Sequence, residues 1–91
     1  MPYQIQHTTR FKKDYKLAIK RGFNSNLLQE VIELLANGEP LPERYNDHSL
    51  SGNYTDYREC HIQPDWLLVY KIHKDVLILT LYRTGTHSDL F

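Results

Sequence analysis

Apolar residues Phe11, Tyr15, Ala18 and Ile19 recur at i, i+4, i+7 and i+8, with lysines falling between them. That spacing predicts an amphipathic helix from about Thr9 to Arg21, opened by a Thr8 or Thr9 cap and ended at Gly22. A second helix is predicted after an Asn24 or Ser25 cap. It has Leu27, Leu28, Val31, Leu34 and Leu35 on its buried side, and Asn37-Gly38 supplies a left-handed stop. Proline lacks an amide and restricts its predecessor, so Glu39-Pro40-Leu41-Pro42 opens a loop that runs to about Asn53. The period then changes from helical to that of strands. Tyr57 to Ile62, Trp66 to His73 and Val76 to Thr84 are rich in β-branched and aromatic residues, joined through Gln63-Pro64-Asp65 and Lys74-Asp75. Tyr3 to His7 alternates as a short opening strand. The order predicts an α+β fold: an N-terminal strand and a two-helix hairpin packed on a twisted, mainly antiparallel sheet.

Length confines this pattern to one domain, residues 1–91. A chain so short buries only about 60–65% of its unfolded surface, which leaves a thin core. Cys60 is the single cysteine and cannot form an internal disulfide. No stretch has the charged start, apolar centre and small-residue cleavage site of a secretory signal, so a cytoplasmic protein is expected. The longest nearly apolar run, Trp66 to Ile72, is interrupted by Lys71 and is far short of the roughly 20 residues of a membrane-spanning helix, so no membrane partner is expected. The formal charge of zero conceals an asymmetry. Residues 1–22 hold Arg10, Lys12, Lys13, Lys16, Lys20 and Arg21 against Asp14 alone, leaving +5 there and −5 elsewhere. Such a helix is either a solvated face or a surface for phosphates or an acidic partner.

The chemistry concentrates in the second half. His48 follows Asp47, His61 and Asp65 flank the predicted turn before Trp66, and His87 follows the last strand. Imidazole titrates nearest neutrality, so histidines beside carboxylates point to a proton-transfer site. For any one of them taken alone, an ordinary surface or hydrogen-bonded histidine is the competing reading. A zinc site built from His48, Cys60, His61, Asp65 and His87 is the second reading. The spacing opposes it, because adjacent Cys60 and His61 point to opposite faces of a strand and no Cys-x-x-Cys or His-Glu-x-x-His motif is present. No metal or other cofactor is expected. Cys60 as a nucleophile would need exposure that its strand context denies. The remaining cues fit a phosphodiester: Arg58 and Arg83 as phosphate holders, and Trp66, Tyr70, Tyr82 and Phe91 as sources of a stacking platform, with core packing favoured for Tyr70.

Three blocks, Tyr45 to Gly52, Tyr57 to Tyr70 and Arg83 to Phe91, carry a resemblance across nearly the entire chain. Asp47-His48-Ser49-Leu50-Ser51-Gly52, Tyr57-Arg58 through His61 to Pro64-Asp65-Trp66, and Arg83-Thr84-Gly85-Thr86-His87 to Leu90-Phe91 stand in the order and spacing of the YafQ branch of the RelE/ParE toxin superfamily, which this chain resembles. The resemblance implies a RelE-like ribonuclease fold and a type II toxin, an endoribonuclease that cuts mRNA in the ribosomal A site without metal. It also implies neutralisation by a DinJ-like antitoxin, in a heterotetramer, with a monomer when free. By resemblance His48, His61, Asp65 and His87 are the catalytic candidates. Arg58, Glu59, Trp66, Arg83 and Phe91 are the candidates for substrate binding; Glu59 stands where some members have Asp. The rival is a ParE-like member that acts on DNA gyrase, or one that only binds its antitoxin; intact histidines speak against both.

Overall fold

A computed structural model describes residues 2–91 of the chain. β1 (Gln4–His7) leads into α1 (Thr9–Lys20) and α2 (Ser25–Ala36). The short β2 (His48–Ser49) precedes β3 (Arg58–Gln63), β4 (Trp66–His73), β5 (Ile78–Gly85) and a four-residue α3 (His87–Leu90). The five strands form one sheet in the order β1-β5-β4-β3-β2, antiparallel except for the β1–β5 pair. This is the α+β arrangement the periodicities predict.

Both long helices begin where side chains satisfy their free amides. Thr8 accepts from the Phe11 amide at 3.0 Å and Asn24 from the Asn26 amide at 2.9 Å, caps worth about 1 kcal/mol each. Gly22 and Gly38, at φ +87° and +74°, follow the helix ends in the left-handed conformation that glycine adopts without a Cβ clash. The helices cover one face of the sheet with Phe11, Ala18, Leu28, Val31, Ile32, Leu35 and Ala36, over Cys60, Ile62, Trp66, Leu68, Tyr70, Leu79 and Leu81. Each large aliphatic side chain buried this way contributes about 1.5–3 kcal/mol. Ile19, expected in the stripe of α1, is 41% exposed, because the turn of the helix carries it past the contact.

The other face is the one that matters for chemistry. Strand alternation sends Leu67 and Val69 of β4 to that side, where with Leu90 they form a second small cluster flanked by Leu50, Tyr57 and Tyr82. Covered on both faces, Trp66 to Tyr70 are all almost fully buried. Two differences from the predicted strands have local causes. The third predicted strand begins at Ile78 instead of Val76, since exposed Val76 and Leu77 belong to the turn and Leu77 takes φ +56°. The predicted loop contains β2, too short for a periodicity to reveal. Among the described residues, no helix is long and apolar enough to cross a membrane.

Candidate active site

Pairing between β2 and β3 sets His48 opposite Glu59, and residues opposite each other share a face. Glu59 and His61 are two apart on β3, so they share it too. His48 Nε2 lies 3.3 Å and His61 Nε2 3.8 Å from Glu59 Oε1. The other side of the His48 ring is fixed, with Nδ1 2.9 Å from the Asn46 carbonyl. A carbonyl only accepts, so Nδ1 carries the hydrogen. The Nε2 to Glu59 contact is then a hydrogen bond only while a proton sits between the two groups. Glu59 is 5% exposed, and its Oε2 is buried without a hydrogen-bond partner. A buried carboxylate oxygen without a partner, beside two imidazoles, is unlike an ordinary structural ion pair.

His87 completes the row. The Leu67↔Gly85 register ends β5 beside the turn between β3 and β4, and α3 starts two residues later. Asp65 on that turn accepts from the His87 amide at 3.0 Å and from His87 Nδ1 at 2.7 Å through the same oxygen. The imidazole bond and the amide bond hold the Asp65 carboxyl below the usual carboxylate range. With Nδ1 committed to the carboxylate, His87 Nε2 is left for a substrate, the logic of a carboxylate that orients an imidazole. The three rings form a file, His48 to His61 at 6.2 Å and His61 to His87 at 5.7 Å between centroids. The sequence-predicted histidines and Asp65 thus converge on one end of the open face.

Aromatic side chains continue along that face. Tyr57 and Tyr82 rings lie 4.6 Å apart, and Tyr54 meets Tyr57, Tyr82 and Phe91 edge-on at 6.5, 6.3 and 5.7 Å. Phe91 is 61% exposed, free to offer a ring face, and Lys71 Nζ sits 5.6 Å from the Tyr57 ring centroid. Neither Tyr54, Tyr57 nor Lys71 was singled out from the sequence, although alternation along β3 places Tyr57 in line with Glu59 and His61. Arg44, also missed, lines a cavity of about 320 Å³ with His61 and Pro64.

Three of the predicted substrate residues are engaged in contacts within the fold. Arg58 neighbours Glu59 on a strand and so must face the helices. There its fork holds Asp47 at 3.1 and 3.3 Å, with the Tyr70 hydroxyl donating to the same carboxylate. Burial and the Asp47 charge push the Tyr70 hydroxyl up, so it stays a donor. This clamp anchors the residue before His48. Trp66 is 1% exposed in the helix-side core, its indole 4.9 Å from Phe23 and its N–H given to Thr84 at 2.9 Å. Buried there, it offers no stacking face. Arg83 is displaced by a bulge in which Tyr82 is the extra residue, and its guanidinium is held by Asp14 of α1 at 2.8 and 3.1 Å. Cys60 is fully buried on the helix side, and burial pushes its thiol up, so it is neither nucleophile nor ligand.

The family model described as the bacterial toxin of type II toxin-antitoxin system, YafQ, matches residues 3–91. The chain belongs to the YafQ family of type II toxins. It is 43% identical over 88 residues to the mRNA interferase toxin YafQ of Escherichia coli K12, covering 96% of this chain and 94% of that one. YafQ in a crystal structure of the E. coli DinJ-YafQ complex superposes with a TM-score of 0.90 at 42% identity, over 98% of each chain. A metal-bound toxin from Helicobacter pylori superposes with a TM-score of 0.92 at 46% identity, over 98% of this chain and 99% of that one. In the present chain His48, Glu59 and His61 offer ligand atoms that lie within 4.8 Å of one another, two nitrogens and an oxygen of the kind zinc or copper accepts.

Proposed function

We propose that this toxin is a ribosome-dependent endoribonuclease that cuts mRNA in the A site by metal-independent acid–base chemistry. The observation that carries the reading is the file of three imidazoles interleaved with Glu59 and Asp65. Attack by a ribose 2'-hydroxyl requires one group to take its proton, a second to give a proton to the departing 5'-oxygen, and positive charge near the phosphorane between them. His87, held by Asp65 with Nε2 free, serves one proton transfer. His48 and His61, which flank Glu59 at 3.3 and 3.8 Å, serve the other and supply the charge. Phe91, at the end of the aromatic row, stacks on a base beside the scissile bond. Arg58 acts from behind by holding Asp47, Trp66 packs in the core beneath the strand that follows Asp65, and Arg83, opposite Val69 and tied to Asp14, lies at the edge of the open face.

Like the E. coli YafQ found with DinJ, the chain is masked by an antitoxin of the DinJ kind, in a heterotetramer, and the basic face of α1 suits the acidic segment of such a partner. The test is a cell-free translation reaction with the purified toxin, read by primer extension on the translated message. His87→Ala lowers cleavage by about 10²- to 10⁴-fold, the usual weight of one acid or base. A folded variant that cuts as fast as the parent overturns the assignment.

A further inference from the structure

His87 and Asp65 meet in the open, with their side chains 55% and 67% exposed. Pairs exposed in this way contribute little, because water screens them. A four-residue helix has no stability of its own, since nucleation is unfavourable and there is almost nothing to propagate. The position of His87 therefore depends on the rest of its turn, where Leu90 is buried against Leu67 and Val69 and a less exposed ion pair, with side chains 40% and 25% exposed, fixes the other side. There Asp89 closes a reciprocal cap: its Oδ2 accepts from the Thr86 amide at 3.0 Å, and its own amide donates to Thr86 Oγ1 at 3.2 Å. The same carboxylate receives both arms of Arg21 at the end of α1, at 2.6 and 3.3 Å. Gly85 makes the approach possible, because a Cβ there would stand 3.0 Å from Asp89 Cβ and Oδ2.

We propose that Arg21 and Asp89, 68 residues apart, are positioning residues for His87: their ion pair locks the C-terminal turn to the end of α1 and so aims the imidazole at the substrate. The inference rests on the role given to His87 above. Neither residue touches the reacting atoms. Arg21 is thereby separated from the lysines of α1, which have no such link among the described residues. Thr86 and Gly85 belong to the same device, one as the far half of the cap and one as the space that admits it.

The experiment compares parent toxin, Arg21→Ala, Arg21→Lys, Asp89→Asn and the Arg21→Ala/Asp89→Asn double variant. Initial rates of cleavage are read against mRNA-programmed ribosome concentration, alongside thermal unfolding and the imidazole resonances of His87 by NMR. A displacement of about 1 Å costs up to about 10²-fold in rate, so the single variants lose about 10- to 100-fold in kcat with KM nearly unchanged. Arg21→Lys, which keeps one of the two bonds, recovers part of that loss. The double variant is no slower than the slower single one, because both remove one link. The His87 resonances move in Arg21→Ala and Asp89→Asn while those of His48 stay in place. Unchanged kcat, additive losses, or a rate loss with unmoved His87 resonances overturns the proposal. If His87→Ala itself still cuts, the functional reading fails instead, and the NMR comparison still decides whether the clamp aims the ring. A single variant too unstable for rate measurement is judged by Arg21→Lys and by NMR at reduced temperature.

Discussion

Replacing Thr84 by valine tests what holds the sheet behind Asp65. The Thr84 hydroxyl accepts the indole N–H of Trp66 at 2.9 Å and donates to the Leu67 carbonyl at 2.7 Å, and Thr84 and Trp66 are each 1% exposed. Valine has nearly the same shape and neither function. An indole N–H left without an acceptor costs about 1–3 kcal/mol, and the lost bond to the carbonyl about 0.5–1.5 kcal/mol. The added methyl returns about 0.8 kcal/mol. The net is about 2 kcal/mol, or a fall of about 8–16 °C in Tm for a domain of this size. Thr84→Ser keeps both hydrogen bonds and loses one methyl, about 1 kcal/mol and about 4–8 °C. Apolar burial alone ranks these variants the other way. Urea and thermal unfolding followed by Trp66 emission, the single tryptophan, and by circular dichroism read the order. A valine variant as stable as the serine one refutes the argument.

Two further outcomes follow from the site and its clamp. A zinc-selective chelator leaves cleavage unchanged, whereas added zinc inhibits by occupying His48, Glu59 and His61; activity lost on chelation and restored by zinc would reverse that conclusion. The Asp89 carboxyl is held down to about 2 by Arg21 and the Thr86 amide, below the ordinary value of about 3.9. Its pairing therefore stabilises the fold fully above about pH 4 and is lost as pH falls through about 2. The Tm gap between parent and Asp89→Asn accordingly closes between pH 5 and pH 2, and a constant gap would place its origin outside the charge.

What the sequence made legible and what it hid divide along physical lines. α2 and β4 were readable because their periodicities are those of burial: Leu28, Val31 and Leu35 on one stripe, and Trp66 to Tyr70 covered on both faces. β2 and α3 were not, since two and four residues carry no period and exist through distant contacts, His48 against Glu59 and Asp89 against Arg21. The same division holds at the site. His61 and Asp65 could be placed by their shared turn. Glu59 as the meeting point of His48 and His61 depends on a pairing between segments that only the fold brings together. That Arg58 faces away from Glu59 follows from alternation alone, whereas the position of Arg83 depends on a bulge at Tyr82 that no local pattern announces.

The parallel pairing of β1 with β5 has a consequence for how the toxin is made. Gln4 to His7 wait for Ile78 to Leu81, so the first strand synthesised can be sewn into the sheet only when the last strand has emerged. The turn that bears His87 follows still later. Pairings between such distant segments form slowly, because a long loop must close before any contact repays it. A nascent chain interrupted anywhere before β5 has an unpaired opening strand and no His87, and its helices lack Leu79 and Leu81 beneath them. Synthesis itself thus leaves the sheet-facing sides of α1 and α2 uncovered until β5 has emerged.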